Sequence, residues 1–312
     1  MRTTRKGGIL VALASAVIYS SVSVLAKFTY RYGLTPAQLL KERYVVAGVF
    51  LTILLAVVDW HLLLPRNWRE AGTLLGFSAV FVTGPTLLYF IAVKMLPVST
   101  AMFLFHCYPA FAGIFAWLIL HEHMTRTYAV SVGIIAIGLL LLLGASFHKI
   151  SVAGVLTMLA CAVTYALYTV LSQHLSQGTD PRTLGLYNQI APAIVLCMIT
   201  RGEPVLYPAI LESRTFMLAV FGLGLSAAGG MFLFVQGIAT IGAQRAAIID
   251  SLEPLFSAFY ASILLQERMT PMALTGGLLI VAGVIIDNLP PRTTRPRFVN
   301  IAASLRDTDR PE

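Results

Sequence analysis

Two stretches, Pro109–Thr125 (PAFAGIFAWLILHEHMT) and Pro254–Thr270 (PLFSAFYASILLQERMT), lie 145 positions apart and read alike. Seven of the seventeen positions are identical: Pro109/Pro254, Phe111/Phe256, Ala116/Ala261, Leu120/Leu265, Glu122/Glu267, Met124/Met269 and Thr125/Thr270. Two apolar helices share Leu and Ala by chance, but seldom Pro, Glu, Met and Thr in register. The match runs upstream. Thr83-Gly84-Pro85 falls on Ala228-Gly229-Gly230, so a breaker is expected at the same place in both copies. With a shift of 146, Gly8/Gly154, Ala14/Ala160, Ala16/Ala162, Val17/Val163, Tyr19/Tyr165 and Leu25/Leu171 also agree. The chain is an internal repeat.

Both copies lie in apolar sequence. Of the 312 residues, 57% are hydrophobic and 12% charged, with a mean hydropathy of +0.80. Soluble domains carry about 45–50% apolar and about 25% charged residues. Halving the charge leaves too little polar surface to cover a water-soluble globule, and excludes a disordered or collagen-like chain. A membrane helix needs about 20 mostly apolar residues. Ten such runs are present, roughly 8–30, 37–58, 71–93, 98–120, 127–144, 152–174, 183–200, 215–239, 245–265 and 272–288. Runs such as Ile134–Leu143 are apolar on every face, unlike the period-two alternation of a barrel strand.

The expected fold is therefore an all-α membrane protein of ten helices. Five helices per half is an odd number, so the second half must enter the membrane from the opposite side to the first. Inverted repeats with Gly- or Pro-interrupted helices at matching positions are the architecture of secondary transporters, with a substrate site near the midplane between the halves. The expected units are 8–145, 152–289 and a disordered polar tail at 290–312. Arg2, Arg5 and Lys6 precede an apolar run too long for a signal peptide, so that run reads as the first helix. Lys and Arg at the two ends favour cytoplasmic termini, although the internal loops alone favour the reverse.

These features resemble the drug/metabolite transporter superfamily, in particular its EamA group, which includes YddG-type exporters of amino acids and other metabolites. The resemblance rests on Pro-x-Phe…Leu-x-Glu-x-Met-Thr at the end of each fourth helix. It also rests on Ile241-Gly242-Ala243-Gln244-Arg245-Ala246 followed by Leu252-Glu253-Pro254-Leu255-Phe256, with Tyr108-Pro109-Ala110-Phe111 as counterpart. It covers about residues 8–288. It implies that the first four helices of each half surround a central cavity and that the fifth and tenth lie outside.

Polar groups in hydrocarbon are costly and normally face a cavity or one another. Ser15, Tyr19, Ser23 and Lys27 share a face of the first helix; the repeat puts Cys161, Tyr165, Thr169 and Gln173 on the sixth. These are two walls of a cavity or two packing seams, with Tyr19 and Tyr165 the best cavity candidates. His106 precedes Pro109, which has no N–H for the carbonyl four residues back, and Tyr108 stands beside it. Asp250 and Glu253, before Pro254, occupy the repeat positions of Phe105 and Tyr108. They are proton carriers, partners for a substrate ammonium, or members of ion pairs with Arg245, Lys41 or Arg43. Arg43 either holds a substrate carboxylate or sits at the interface. Tyr89 follows Pro85 by one turn and is placed to stack on a ligand. Glu122 and Glu267 suit loop capping. Gly72/Gly76 and Ser226/Gly230 have small-x-x-x-small spacing, which suits close helix packing.

The expected activity is alternating-access transport of a small organic metabolite, with export of an amino acid or related zwitterion across the cell's inner membrane favoured. The partners are then that metabolite and the lipid bilayer, not nucleic acid, with the chain a monomer or homodimer. No cofactor or metal is implied. The histidines of His121-Glu122-His123 are two apart, whereas a zinc helix needs them four apart. Cys107, Cys161 and Cys197 lie in apolar runs and suggest no disulfide framework. A channel would show a carbonyl filter or charged ring, and neither is visible.

Overall fold

A computed structural model describes residues 5–120, 126–144, 151–175, 179–201, 203–204, 213–241, 246 and 249–287. The 290–312 tail, His121-Glu122-His123, Arg245 and most of the Ile241–Ala246 motif lie outside the described residues, as does the Gln173 side chain. The helices are α1 (Arg5–Thr29), α2 (Pro36–Asp59), α3 (Trp68–Phe81), α4 (Thr83–Met95), α5 (Val98–Phe105), α6 (Tyr108–Leu120), α7 (Arg126–Gly144), α8 (Val152–Leu175), α9 (Pro181–Ile199), α10 (Arg214–Ile241), α11 (Glu253–Leu264) and α12 (Pro271–Asp287). Among the described residues eight stretches are long and apolar enough to cross a membrane, with α3–α4 and α5–α6 each forming one of them. The shorter α12 and the broken span ending in α11 complete ten rods among the described residues.

Local signals set the ends. Thr35 and Gln38 form a capping box before α2, with Pro36 at its first position. Asn67 caps α3 and Asp180 caps α9 through side-chain oxygens. Gly33 adopts φ 84°, a left-handed conformation that ends the turn after α1.

Contacts between rods fix the topology. At one end Gly8 lies against Thr240 and Ile241, Thr179 donates to Glu70 (2.7 Å) and Thr183 to the Leu62 carbonyl (3.0 Å). At the other, Gly154 lies against Met95 and Leu96, and Tyr32 stacks on Phe216 at 4.3 Å. So α1 leaves the first end and α8 leaves the second, and the two halves are inverted. α7 and α12 pack on each other, with Gly138 against Gly276 and the Ser131 hydroxyl donating to the Gly283 carbonyl (2.7 Å).

Three spans are interrupted. α3 passes into α4 at Val82, three residues before Pro85; α5 ends at Phe105 and α6 begins at Tyr108, beside Pro109; α11 begins at Glu253, beside Pro254. Each proline leaves the carbonyl four residues back, at Phe81, Phe105 or Asp250, without its helical donor. The breaks before Pro109 and Pro254 are repeat equivalents.

The expected breaker in the eighth span is absent: α10 runs unbroken through Gly229-Gly230. Glycine keeps its N–H, so the helical ladder survives where Pro85 breaks it. Gly230 serves close packing instead. A Cβ there would meet the Tyr19 ring at 2.6 Å, and its carbonyl accepts the Ser15 hydroxyl at 2.7 Å. Ser226 accepts from Ser21 (3.0 Å) in the same seam. Gly72 and Gly76 correct a second expectation, since a Cβ at either would meet nothing within 4 Å. No described helix packs closely on them.

The turn between α4 and α5 is clamped from two sides. The Lys27 ammonium donates to the carbonyls of Val93 (2.9 Å), Lys94 (3.2 Å) and Leu96 (2.7 Å) at the end of α4. The Glu267 carboxylate accepts from the Val98 amide (2.8 Å), the Ser99 amide (3.3 Å) and the Ser99 hydroxyl (3.1 Å) at the start of α5. Each charge meets the helix end of opposite partial charge. Glu267 thus has the capping role expected of it, on a helix of the other half.

Candidate substrate cavity

A cavity of about 360 Å³ lies between the halves. Its walls come from α1 to α6 and α8 to α10, together with Asp250 and Glu253. These are the first four spans of each half. None of its lining residues belongs to α7 or α12, the fifth and tenth spans. All eight residues singled out from the sequence line it: Tyr19, Arg43, Tyr89, His106, Tyr108, Tyr165, Asp250 and Glu253.

The lining follows the repeat. Tyr19/Tyr165, Arg43/Asn188, Tyr44/Gln189, Thr86/Met231, Tyr89/Phe234, Phe105/Asp250 and Tyr108/Glu253 are equivalent positions, and both members of each pair face the cavity. The void is therefore centred on the pseudo-twofold axis. Asn188, Gln189, Met231, Phe234, Tyr44 and Tyr168 were not singled out. The signal for most of them was present, since the same shift applied to Arg43 and Tyr89 gives Asn188 and Phe234.

Arg43 stands one turn into α2. Its guanidinium lies over the Tyr44 ring at 4.7 Å and the Phe90 ring at 5.7 Å. It is 8% exposed, and its Nε and Nη1 have no hydrogen-bond partner among the described residues. Unfilled buried donors cost about 1–3 kcal/mol, so an acceptor brought to Arg43 in the cavity would relieve a cost that no described residue relieves. Lys41 is placed elsewhere. It pairs with Glu203 at 3.6 Å and donates to the Pro204 carbonyl at 2.7 Å. Of the alternatives the sequence leaves open for Asp250 and Glu253, an ion pair with Lys41 is not the one formed. Among the described residues no Lys or Arg forms an ion pair with Asp250 or Glu253.

His106 lies in the break between α5 and α6 and is buried. Its Nδ1 is 2.9 Å from the Met102 carbonyl, and its Nε2 is 3.9 Å from Glu253 Oε2. An aromatic wall runs beside it. Phe105 meets Tyr108 at 5.4 Å, Tyr165 at 5.0 Å and Tyr89 at 5.3 Å, and Tyr165 meets Tyr168 at 5.4 Å. Tyr89 donates to the Met102 sulfur (2.8 Å). The Asn188 amide donates to Tyr168 (2.8 Å) and its oxygen accepts from Ser78 (2.7 Å).

The expected polar stripes face the cavity only in part. On α1, Tyr19 does; Ser15 turns to Gly230 and Lys27 to the α4 carbonyls. On α8, Cys161 and Tyr165 do, while Thr169 donates to the Ala166 carbonyl (2.7 Å). The stripes spiral between cavity and neighbouring helices because α1 also packs along α10.

The family model of the EamA-like transporter family matches twice, over residues 6–144 and 152–288. The chain belongs to the EamA-like transporter family. It is a multi-pass membrane transporter. It is 27% identical over 208 residues to the uncharacterized transporter sll1319 of Synechocystis, spanning 64% of this chain and 62% of that one. It is 28% identical over 302 residues to the uncharacterized inner membrane transporter YicL of Salmonella typhimurium, spanning 94% and 98%. These EamA relatives are named as transporters, not enzymes. One crystal structure shares the fold, with a TM-score of 0.62 at 21% identity, covering 91% of this chain and 97% of that one.

Proposed function

We propose that this transporter carries a small zwitterionic metabolite, an amino acid or a close relative, by alternating access, and that it works as an exporter. One observation carries the reading: among the described residues the cavity between the halves has a cation, Arg43, whose Nε and Nη1 have no hydrogen-bond partner, and two carboxylates without a Lys or Arg partner, Asp250 and Glu253. A molecule with a carboxylate and an ammonium satisfies both, and the aromatic wall from Tyr89 to Tyr168 takes an apolar or aromatic side chain. The eight singled-out residues are the proposed binding set. Arg43 receives the carboxylate; Asp250 and Glu253 receive the ammonium; Tyr19, Tyr89, Tyr108, Tyr165 and His106 shape the space between.

The inverted halves rock about this central void, so each face of the membrane sees it in turn. In this reading the protein works in the cell's inner membrane with both termini cytoplasmic, and the name of YicL as an inner membrane transporter supports the first part. The test is counterflow in proteoliposomes loaded with individual amino acids. Saturable, trans-stimulated uptake is the expected result; unsaturable, ion-selective current would make it a channel.

A further inference from the structure

The contact between His106 and Glu253 joins the two halves at their equivalent helix breaks. A carbonyl oxygen only accepts, so the 2.9 Å contact to Met102 requires that Nδ1 carry hydrogen and donate it. In the neutral ring Nε2 is then the lone-pair nitrogen, and it lies 3.9 Å from Glu253 Oε2. A lone pair facing a bare carboxylate is repulsive. The contact is attractive only with a proton in it, as a carboxylic acid facing the imidazole or as an imidazolium facing the carboxylate.

Among the described residues nothing else compensates. Asp250 lies three residues from Glu253 on the same span and adds a second carboxylate. The other elements bring His106, Tyr19, Tyr89 and Tyr108 to the wall of the same cavity, and Arg43 lines it too without forming an ion pair with Glu253. Two carboxylates in a low-dielectric void, with no Lys or Arg paired to them among the described residues, hold a proton rather than two charges.

Resting on the zwitterion reading, we infer that His106 and Glu253 hold one proton between the halves in the empty cavity, and that a substrate ammonium displaces it. The proton passes to the water of the open side and the ammonium takes its place beside the carboxylates. Charge beside the carboxylates is conserved, the substrate's own carboxylate is met by Arg43, and no redox step is involved. Outward movement of one ammonium-bearing molecule is thus exchanged for one proton.

The shared proton is tested first without any substrate, on the full chain in nanodiscs. Infrared titration follows the stretch of protonated carboxyl, and NMR of isotope-labelled histidine follows the ring. The expected result is a carboxyl band removed by Glu253→Gln, a His106 ring protonated at Nδ1, and one common midpoint for the two signals. His106→Gln should move the carboxyl midpoint by about one pH unit. Independent titration of band and ring, or a midpoint indifferent to His106→Gln, overturns the inference. The ring measurement on the unaltered protein decides it even if a variant does not fold.

Exchange is tested with L-phenylalanine as probe. Calorimetry in buffers of different ionisation enthalpy should give release of about one proton per molecule bound. Binding with no proton release overturns the coupling. Absence of both binding and counterflow counts against the zwitterion reading instead, and the infrared result still decides the shared proton.

Discussion

At position 43 the first half carries Arg, and the equivalent position 188 of the second half carries Asn. At 105 and 108 the first half carries Phe and Tyr, where the second carries Asp250 and Glu253. In the third span of the first half Pro85 breaks the rod, and in the eighth span Gly230 leaves it whole. The backbone repeats while the chemistry along the cavity does not. A strictly symmetric pair of halves would offer the same groups from both sides of the axis. These halves separate a cation on one from carboxylates on the other, so the proposed zwitterion would have one orientation across the axis.

Substitutions that erase the difference one position at a time should therefore be informative. Gly230→Pro copies the third span into the eighth. It removes a helical hydrogen bond and drives a ring into Tyr19, so a loss of about 3 kcal/mol or more is expected. Thermal unfolding in detergent measures it, and an unchanged midpoint would mean that α10 tolerates a break. Arg43→Asn copies the second half into the first. It removes the unfilled guanidinium and should weaken a carboxylate-bearing substrate by roughly 2 kcal/mol, about thirty-fold in the half-saturating concentration. Counterflow of L-phenylalanine reads this, and equal affinity would take Arg43 out of the site.

Glu267→Gln removes the charge and one of the two acceptor oxygens, so the Val98 amide or the Ser99 amide then faces an NH2 group, at a cost of about 1.5 kcal/mol. Its repeat equivalent in the sequence, Glu122→Gln, gives the comparison for the first half. Equal losses would indicate that the two glutamates serve alike. The smallest effect is expected from Lys27→Gln, which copies Gln173 into the first half and should cost about 0.5 kcal/mol in the same unfolding assay.

The architecture was legible because the repeat places residues two at a time. Counting helices gave the inversion, and Pro109 and Pro254 marked the equivalent breaks. The eight residues singled out as site candidates, Arg43 and Asp250 among them, all arrived at one void. What stayed hidden depends on which neighbour a face meets. The sequence pairs Pro85 with Gly230 as breakers, yet only one lacks an N–H. Ser15 and Lys27 share a stripe with Tyr19, but α10 and the end of α4 cover them. Lys41 is satisfied by Glu203, a residue from a loop whose position no periodicity encodes. Gly72 and Gly76 have the spacing of a packing seam and lack a facing helix.

The turn from α4 to α5 has its two clamps at residues 27 and 267. On a chain delivered to the membrane in order, Lys27 is present before that turn is made. Glu267 follows only after nine of the ten spans. Between those moments the Val98 and Ser99 amides wait without their carboxylate. In that order the first half enters the membrane with its fourth span uncapped, and a residue that follows the ninth span completes a turn between the third and the fourth.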